Sequence, residues 1–266
     1  MTETQSNFGK EAVREHFSAS TGCYEREAGV QRRTARRLAA SLEPWKLTLP
    51  SGPVLELGAG TGFYSRELAA LFPGRTLDVT DLSPEMIRAC KASVSPEADN
   101  VTFRVLDAEE WEPPAGRYAL VTGNFVAQWF SEPAYTLERY LHALKPGGLL
   151  LMAFPGHESF PEWRSACREV GIPWTGNPMP VTEELVIKLS MGPARVDYYE
   201  DSDTTRYQGS LEFFRHLKRI GASASRSGKQ LTPSQFWRLI THWDRKSGPE
   251  ISITYHLIFL AVKRDL

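Results

Sequence analysis

Two hydrophobic rhythms run along the chain. From Val54 onward, short apolar runs that read as buried strands alternate with segments whose apolar positions fall three and four apart, which read as helices. Strands are predicted at Val54 to Leu57, about Thr76 to Thr80, Val101 to Leu106, Tyr118 to Thr122 and Leu149 to Phe154. Helices are predicted about Tyr64 to Phe72, from Pro84 with Ser83 as N-cap, and about Pro133 to Leu144, before a turn at Lys145-Pro146-Gly147-Gly148. Upstream, Val13, Phe17 and Tyr24, then Ala28, Gln31, Ala35, Leu38 and Leu42, mark two helices that end at the Pro44-Trp45 break.

Beyond Phe154 the rhythm changes. His157 to Gly192 reads as helices broken by Ile172-Pro173-Trp174 and Asn177-Pro178-Met179-Pro180. Arg195 to Tyr207 alternates like a polar edge strand, and two helices follow, about Leu211 to Ile220 and Pro233 to Trp243. Ile251 to Val262 is a long β-branched and aromatic run, expected to pair antiparallel with Arg195 to Tyr207. Strands separated by helices require parallel pairing and right-handed crossovers, with ligands at the carboxyl ends of the strands. The pattern therefore predicts an α/β fold: a doubly wound, Rossmann-like, seven-stranded, mostly parallel sheet with an N-terminal helical lid and a helical insertion after the fifth strand. The expected organisation is one domain over residues 1–266, with 1–45 as lid and 157–247 as a partly helical substrate cover.

Composition narrows the partners. With 31 basic and 32 acidic residues the formal net charge is −1, which gives no general attraction to nucleic acid or an anionic membrane. The polar opening MTETQSNFGKEAVREHF lacks the apolar core of a signal peptide, and no run is long enough for a membrane helix, so a cytoplasmic protein is expected. Cys23, Cys90 and Cys167 show no CxxC spacing, and His157, His216 and His242 are not at metal-ligand spacing. Neither a disulfide framework nor a metal is expected.

The most informative string is VLELGAGTG, Val54 to Gly62, where an apolar run breaks into glycines at alternate positions and opens a helix. Such a turn admits close approach of a nucleotide-type ligand to the backbone. Phe63 stands where a dinucleotide-binding GxGxxG needs its last glycine, and no Lys-Ser/Thr pair follows Gly62, so neither a nicotinamide loop nor a P-loop is supported. Asp81 closes the second strand about 20 residues past the glycines, where a carboxylate accepts ribose hydroxyls. A helix-dipole charge is the alternative for Asp81.

Glu56 to Gly62 resembles the first motif, E/DxGxGxG, of the class I S-adenosylmethionine (SAM)-dependent methyltransferases. A tight turn of some other α/β protein is the alternative for this string alone. The resemblance implies SAM as methyl donor, S-adenosyl-L-homocysteine as product and no metal. It implies a cofactor site of Glu56, the loop Gly58, Ala59, Gly60, Thr61 and Gly62, then Asp81, Leu82 and Met86 of DLSPEMI. Asp107 and Ala108 would meet the adenine, and Asn124 the methionine part. Asp107 and Asn124 are otherwise a surface acid and a turn residue.

For the acceptor, the segment after the fourth strand reads GNFVAQWF in place of the Asn/Asp-Pro-Pro-Tyr segment of base-methylating enzymes, which disfavours nucleic acid. The N-terminal helices with Phe17, Tyr24, Ala28 and Gln31, together with VLELGAGTGFYSREL, DLSPEMI, NFVAQWF, LKPGGLLLMAF, LKRIGASASR and TYHLIFLAVKR, are similar to the malonyl-[acyl-carrier protein] O-methyltransferases of biotin synthesis. The similarity covers nearly the whole chain, with AQW and LKxxGA its more particular segments. FPGHESFPEWRSA departs from the family's Ser/Thr-rich loop, and Gly171 to Gly192 is poorly matched. The resemblance implies methylation of the free carboxylate of a malonyl thioester, on acyl carrier protein or CoA; a monomer is expected. A carboxylate with a pKa of about 4 is already ionised at neutral pH, so the enzyme must align and desolvate it. Tyr24, Gln128 and Trp129 are the catalytic candidates, with Gln31 beside them over the donor; core packing is the alternative for Trp129. Lys218, Arg219 and Arg164 are candidate cations for the acceptor carboxylate, a solvated helix face being the alternative. Arg32, Arg33, Arg36 and Arg37 form a basic helix face for an acidic carrier protein, or are simply solvated. Two rivals stay open: a methyltransferase of another small acid or metabolite, and a SAM-binding protein without catalysis.

Overall fold

Val54–Leu57 (β1) has every side chain buried, as a strand covered on both faces requires. In the computed structural model, which describes residues 3–94, 99–226 and 228–266, β1 lies inside a seven-stranded sheet. The other strands are Leu77–Asp81 (β2), Val101–Val105 (β3), Tyr118–Asn124 (β4), Leu144–Pro155 (β5), Ala194–Tyr207 (β6) and Ile251–Arg264 (β7), in the order β3-β2-β1-β4-β5-β7-β6. β1 pairs parallel with β2 and β4, β2 with β3, and β4 with β5, whereas β7 is antiparallel to β5. β6 neighbours β7 at the edge, as the sequence predicts.

The strand order reverses between β1 and β4, so the loops leaving these two strands diverge and open a crevice at their carboxyl ends. Glu3–Glu27 (α1) and Gly29–Ser41 (α2) precede the sheet. Phe63–Leu71 (α3), Pro84–Ser93 (α4) and Pro133–Ala143 (α5) are the crossovers. Pro161–Glu169 (α6) and Thr182–Ser190 (α7) follow β5, and Ser210–Arg219 (α8) and Pro233–Ser247 (α9) separate β6 from β7.

Several boundaries differ from the sequence reading, and three of them have a local reason. β4 runs two residues further, to Asn124, because its pairing with β5 continues through Asn124↔Ala153. The expected turn at Lys145-Pro146-Gly147-Gly148 is absorbed into β5: Tyr118 pairs with Leu144 and Leu120 with Leu149, so the four residues are extra length between two ladder positions. α9 continues to Ser247, started by a capping box of Thr232 and Gln235 and stopped at Gly248.

The chain falls into two compact units. One comprises residues 29–156, 179–201 and 257–266 and holds the core of the sheet, with Leu55, Leu57, Val121, Leu150, Met152, Phe154, Ile258 and Leu260 buried against Leu137, Tyr140 and Leu141 of α5. The other comprises residues 1–28, 157–178 and 202–256. Its centre is aromatic: Phe160, Trp163, Phe214 and Trp243 pack around Phe213. The segment expected as one N-terminal lid thus divides at Ala28, with α1 in the second unit and α2 in the first.

Candidate donor site at the carboxyl ends of β1, β2 and β4

β1 delivers the chain into the glycine loop. Gly58 has φ +67°, and a Cβ there would stand 2.6 Å from Cγ2 of Val126, the residue that begins the turn after β4. Gly62 has φ +95°, and a Cβ would meet Ser93 Oγ at 2.5 Å and Cys90 Sγ at 3.0 Å. Both glycines are therefore demanded by backbone handedness and by neighbours within the protein. Gly62 is also the N-cap of α3 and gives it no side-chain cap, so the first N–H groups of the helix face the loop with their partial positive charge.

Asp81, at the end of β2, clamps this loop. Its Oδ2 accepts the Gly60 N–H and its Oδ1 the Ser83 N–H, each at 2.8 Å. A carboxylate has about four lone-pair sites, so two bonds leave capacity for hydroxyl donors. Burial pushes its pKa up, and the backbone donors work against that shift. Ser83 caps α4 by accepting from Met86 N at 3.1 Å, which seats buried Met86 and half-buried Leu82 behind Asp81.

Glu56 lies beneath the loop, 1% exposed. Burial pushes its carboxyl up to about 8, with a hydrogen bond from Ser65 opposing and the charge of Asp81 reinforcing. At neutral pH Glu56 is largely protonated, which is how an acid survives in a fully covered strand.

β3 leads to Asp107 because Leu106 N donates to Asp81 O at 2.8 Å, setting the two strand ends side by side. Asp107 Oδ1 accepts Glu109 N at 2.9 Å. The next carbonyl, that of Ala108, is held from behind by Tyr140 Oη at 2.8 Å and Arg139 Nη2 at 3.1 Å, both from α5. At the end of β4, Asn124 Nδ2 donates to the carbonyl of Gln31 on α2 at 3.0 Å. Phe125 follows with φ +57°, a strained value for an aromatic residue, held by its N–H to Ala153 O at 2.7 Å and by Gln128 Nε2 on its carbonyl at 2.8 Å. Gln128 is buried and Trp129 half-buried in the short 3-10 turn Ala127–Trp129.

Three buried oxygens in this unit have no partner among the described residues: Glu56 Oε2, Thr61 Oγ1 and Asn124 Oδ1. Native proteins rarely leave such atoms unsatisfied. They lie on β1, on the loop after it and at the end of β4, the elements that open the crevice, and a ligand rich in amino groups and in hydroxyls, which both donate and accept, satisfies them. SAM is such a ligand, and the residues fit it.

Residues 54–148 match the family model described as a methyltransferase domain. A malonyl-[acyl-carrier protein] O-methyltransferase of Magnetococcus marinus is 30% identical over 237 residues, 89% of this chain and 86% of that protein. The chain belongs to the malonyl-[acyl-carrier protein] O-methyltransferase family. It is a SAM-dependent methyltransferase. The biotin biosynthesis bifunctional protein BioCD of Bordetella avium is also 30% identical, over 250 residues, and this chain spans about half, 51%, of it. A putative methyltransferase from Bacillus halodurans has the same fold, with a TM-score of 0.59 at 17% identity over 86% of this chain and 99% of that one.

In this family member Tyr24, Lys218, Arg219 and Arg164 lie in the second unit. Tyr24 is buried on α1, edge-on to Phe17 at 6.3 Å. Lys218 is exposed on α8. Arg219 is paired with Glu27, at 3.1 Å, and with Glu212. Arg164 on α6 lies over the ring of Trp174. On α2, Arg33 and Arg36 are exposed, Arg32 lies over Phe63, and Arg37 pairs with Asp201. Sequence reasoning missed Val126, Ser83 as a support for Asp81, and Arg139 and Tyr140. Tyr64 was missed too: its hydroxyl donates to Thr122 at 2.8 Å, fastening α3 to β4. Only the Ser-Pro start of α4 carried a local signal. Among the described residues no group of three or more His, Cys, Asp or Glu is placed to hold a metal, and no helix is long and apolar enough to cross a membrane.

Proposed function

We propose that the enzyme esterifies the free carboxylate of a malonyl thioester, carried on acyl carrier protein or on CoA, in an early step of biotin synthesis. The unsatisfied oxygens of Glu56, Thr61 and Asn124 beside the Asp81-clamped loop carry the donor half of this reading. The relatives named malonyl-[acyl-carrier protein] O-methyltransferase support the acceptor half.

SAM supplies a methyl group already activated on a sulfonium. Asp81 takes the ribose hydroxyls with the lone pairs its two backbone bonds leave over. Asn124, oriented by Gln31, accepts from the amino group of the methionine part through Oδ1, and Asp107 with Ala108 takes the adenine. Because the acceptor carboxylate is ionised at neutral pH, no residue has to remove a proton from it. The protein's work is alignment and exclusion of water, for which Gln31, Gln128 and Trp129 are the proposed cover.

The test is transfer of labelled methyl from SAM to malonyl-carrier protein, malonyl-CoA and free dicarboxylates, followed by mild base. Base-labile label on a malonyl thioester is the expected result. Label confined to free acids favours the small-acid alternative, and SAM binding without transfer favours the non-catalytic one.

A further inference from the structure

The four arginines of α2 lie on one side of the helix, and their surroundings sort them. At about 100° per residue, Arg32, Arg36, Arg33 and Arg37 fall within about 140° of arc, with only Gly29 and Ala40 between them. The helix carries no acid along its 13 residues. The two outer arginines are pinned on aromatic rings. Arg32 lies 4.8 Å from the ring centre of Phe63, and Arg37 lies 4.7 Å from that of Phe259 and pairs with Asp201. Arg33 and Arg36, in the middle of the arc, are exposed. Every one of these residues belongs to the unit that holds the donor site.

Such a face works against its own helix. Arg32 and Arg36, and Arg33 and Arg37, are like charges four apart, and Arg33 and Arg36 are three apart, spacings at which repulsion weakens a helix. A surface that meets only water usually intersperses the two signs. The chain as a whole is nearly neutral at −1, so positive charge is concentrated on α2 rather than spread. The face also borders the donor site. The carbonyl of Gln31, next to Arg32 in the chain, accepts from Asn124 Nδ2 at 3.0 Å. Phe63, beneath Arg32, directly follows Gly62 and carries Arg66 over the same ring at 5.5 Å. A partner seated on the arc therefore stands beside the crevice that β1 and β4 open.

We propose that Arg33 and Arg36, flanked by Arg32 and Arg37, form the docking face for an acidic surface of the acyl carrier protein that delivers the malonyl group. This rests on the reading that the acceptor is a malonyl thioester, and it assigns delivery to a protein rather than to CoA. The small side chains of Gly29 and Ala40 let an acidic segment approach α2 closely, where guanidinium forks pair with carboxylates. Charge complementarity of this kind speeds encounter and fixes orientation.

The experiment runs steady-state kinetics on malonyl-carrier protein and malonyl-CoA in parallel, at low and high salt, with calorimetric titration of the unloaded carrier protein into the enzyme. Arg33→Glu/Arg36→Glu is expected to raise the KM for malonyl-carrier protein at least tenfold and to flatten its salt dependence, with the KM for malonyl-CoA, SAM affinity and melting temperature near wild type. Arg88→Glu/Lys91→Glu makes the same reversal at the same spacing on the exposed side of α4 and is expected to change neither KM. An equal rise there assigns the effect to net charge and overturns the docking face. Should Arg33→Glu/Arg36→Glu fail to fold, Arg33→Gln/Arg36→Gln is expected to raise the carrier KM several-fold. A folded variant with unchanged carrier KM overturns the face. Equal rises for carrier protein and CoA also overturn it, because the arginines then read a group that both acceptors share. Each of these results leaves the malonyl reading standing. Wild-type enzyme that transfers to neither thioester overturns that reading instead. In that case carrier protein binding lost in Arg33→Glu/Arg36→Glu supports the face, and no carrier protein binding to wild type removes it.

Discussion

The backbone N–H of Gly60 donates to Oδ2 of Asp81 at 2.8 Å, so the acid expected to hold the donor's ribose also holds the glycine loop in shape. Asp81→Ala removes acceptors from two backbone amides, those of Gly60 and Ser83. We expect SAM binding to weaken at least tenfold and stability to fall by about 1–3 kcal/mol. Asp81→Asn retains only one acceptor oxygen and falls between. Calorimetric titration with SAM and a thermal melt read the two effects. A variant that melts like wild type would show that the clamp contributes nothing.

Glu56 makes stability depend on pH. Its ordinary pKa of 4.5 is pushed up to about 8 by burial. Below the ordinary value both folded and unfolded chains hold the proton. Between the two values only the folded chain does, so the stabilisation is lost as pH rises through that window and the loss levels off above it. Glu56→Gln is neutral throughout, and we expect it to flatten the profile and to be more stable than wild type at pH 8.5 by a few kcal/mol. Denaturant melts from pH 5 to 8.5 measure this. Parallel profiles for the two proteins contradict it.

Gly58 answers to Val126. Gly58→Ala meets both a positive φ and a 2.6 Å contact, and about 2 kcal/mol or more of destabilisation is expected. In Gly58→Ala/Val126→Ala the 2.6 Å contact with Cγ2 goes, but the Cβ at position 126 still stands at 2.7 Å and the backbone cost remains, so recovery is partial. Full recovery in urea melts would assign the entire glycine requirement to packing.

Arg139 and Tyr140 hold the carbonyl of Ala108, a residue proposed to meet the adenine. Tyr140→Phe removes one buried hydrogen bond, worth about 1 kcal/mol. The KM for SAM is expected to rise a few-fold with kcat and acceptor KM near wild type. A change confined to melting temperature would make the residue purely structural.

The glycine loop and the elements around it were legible because their determinants are local. The glycine spacing, the Ser83-Pro84 helix start and an acid after β2 are each set by a few adjacent residues. The surroundings of the candidate acceptor cations were not, because they depend on pairing between distant segments. Arg219 and Arg164 look alike in sequence, and only the tertiary structure shows that the first is neutralised by Glu27 and Glu212 whereas the second bonds to the backbone carbonyls of His157 and Ser159. The same applies to the four arginines of α2, of which Arg37 turns out to be paired with Asp201.

The amino-acid sequence by itself determined the strand and helix order, the mostly parallel sheet and the kind of donor, because hydrophobic period and glycine spacing act over single elements and turns. The tertiary structure alone decided that Gly58 and Gly62 are required by Val126, Ser93 and Cys90, that Asp81 holds the loop, and that Glu56 carries a proton near neutral pH. It also decided that Arg219 is neutralised by Glu27 and Glu212. Burial, close approach and charge compensation depend on which residues far apart in sequence come to lie together, and no local pattern encodes that.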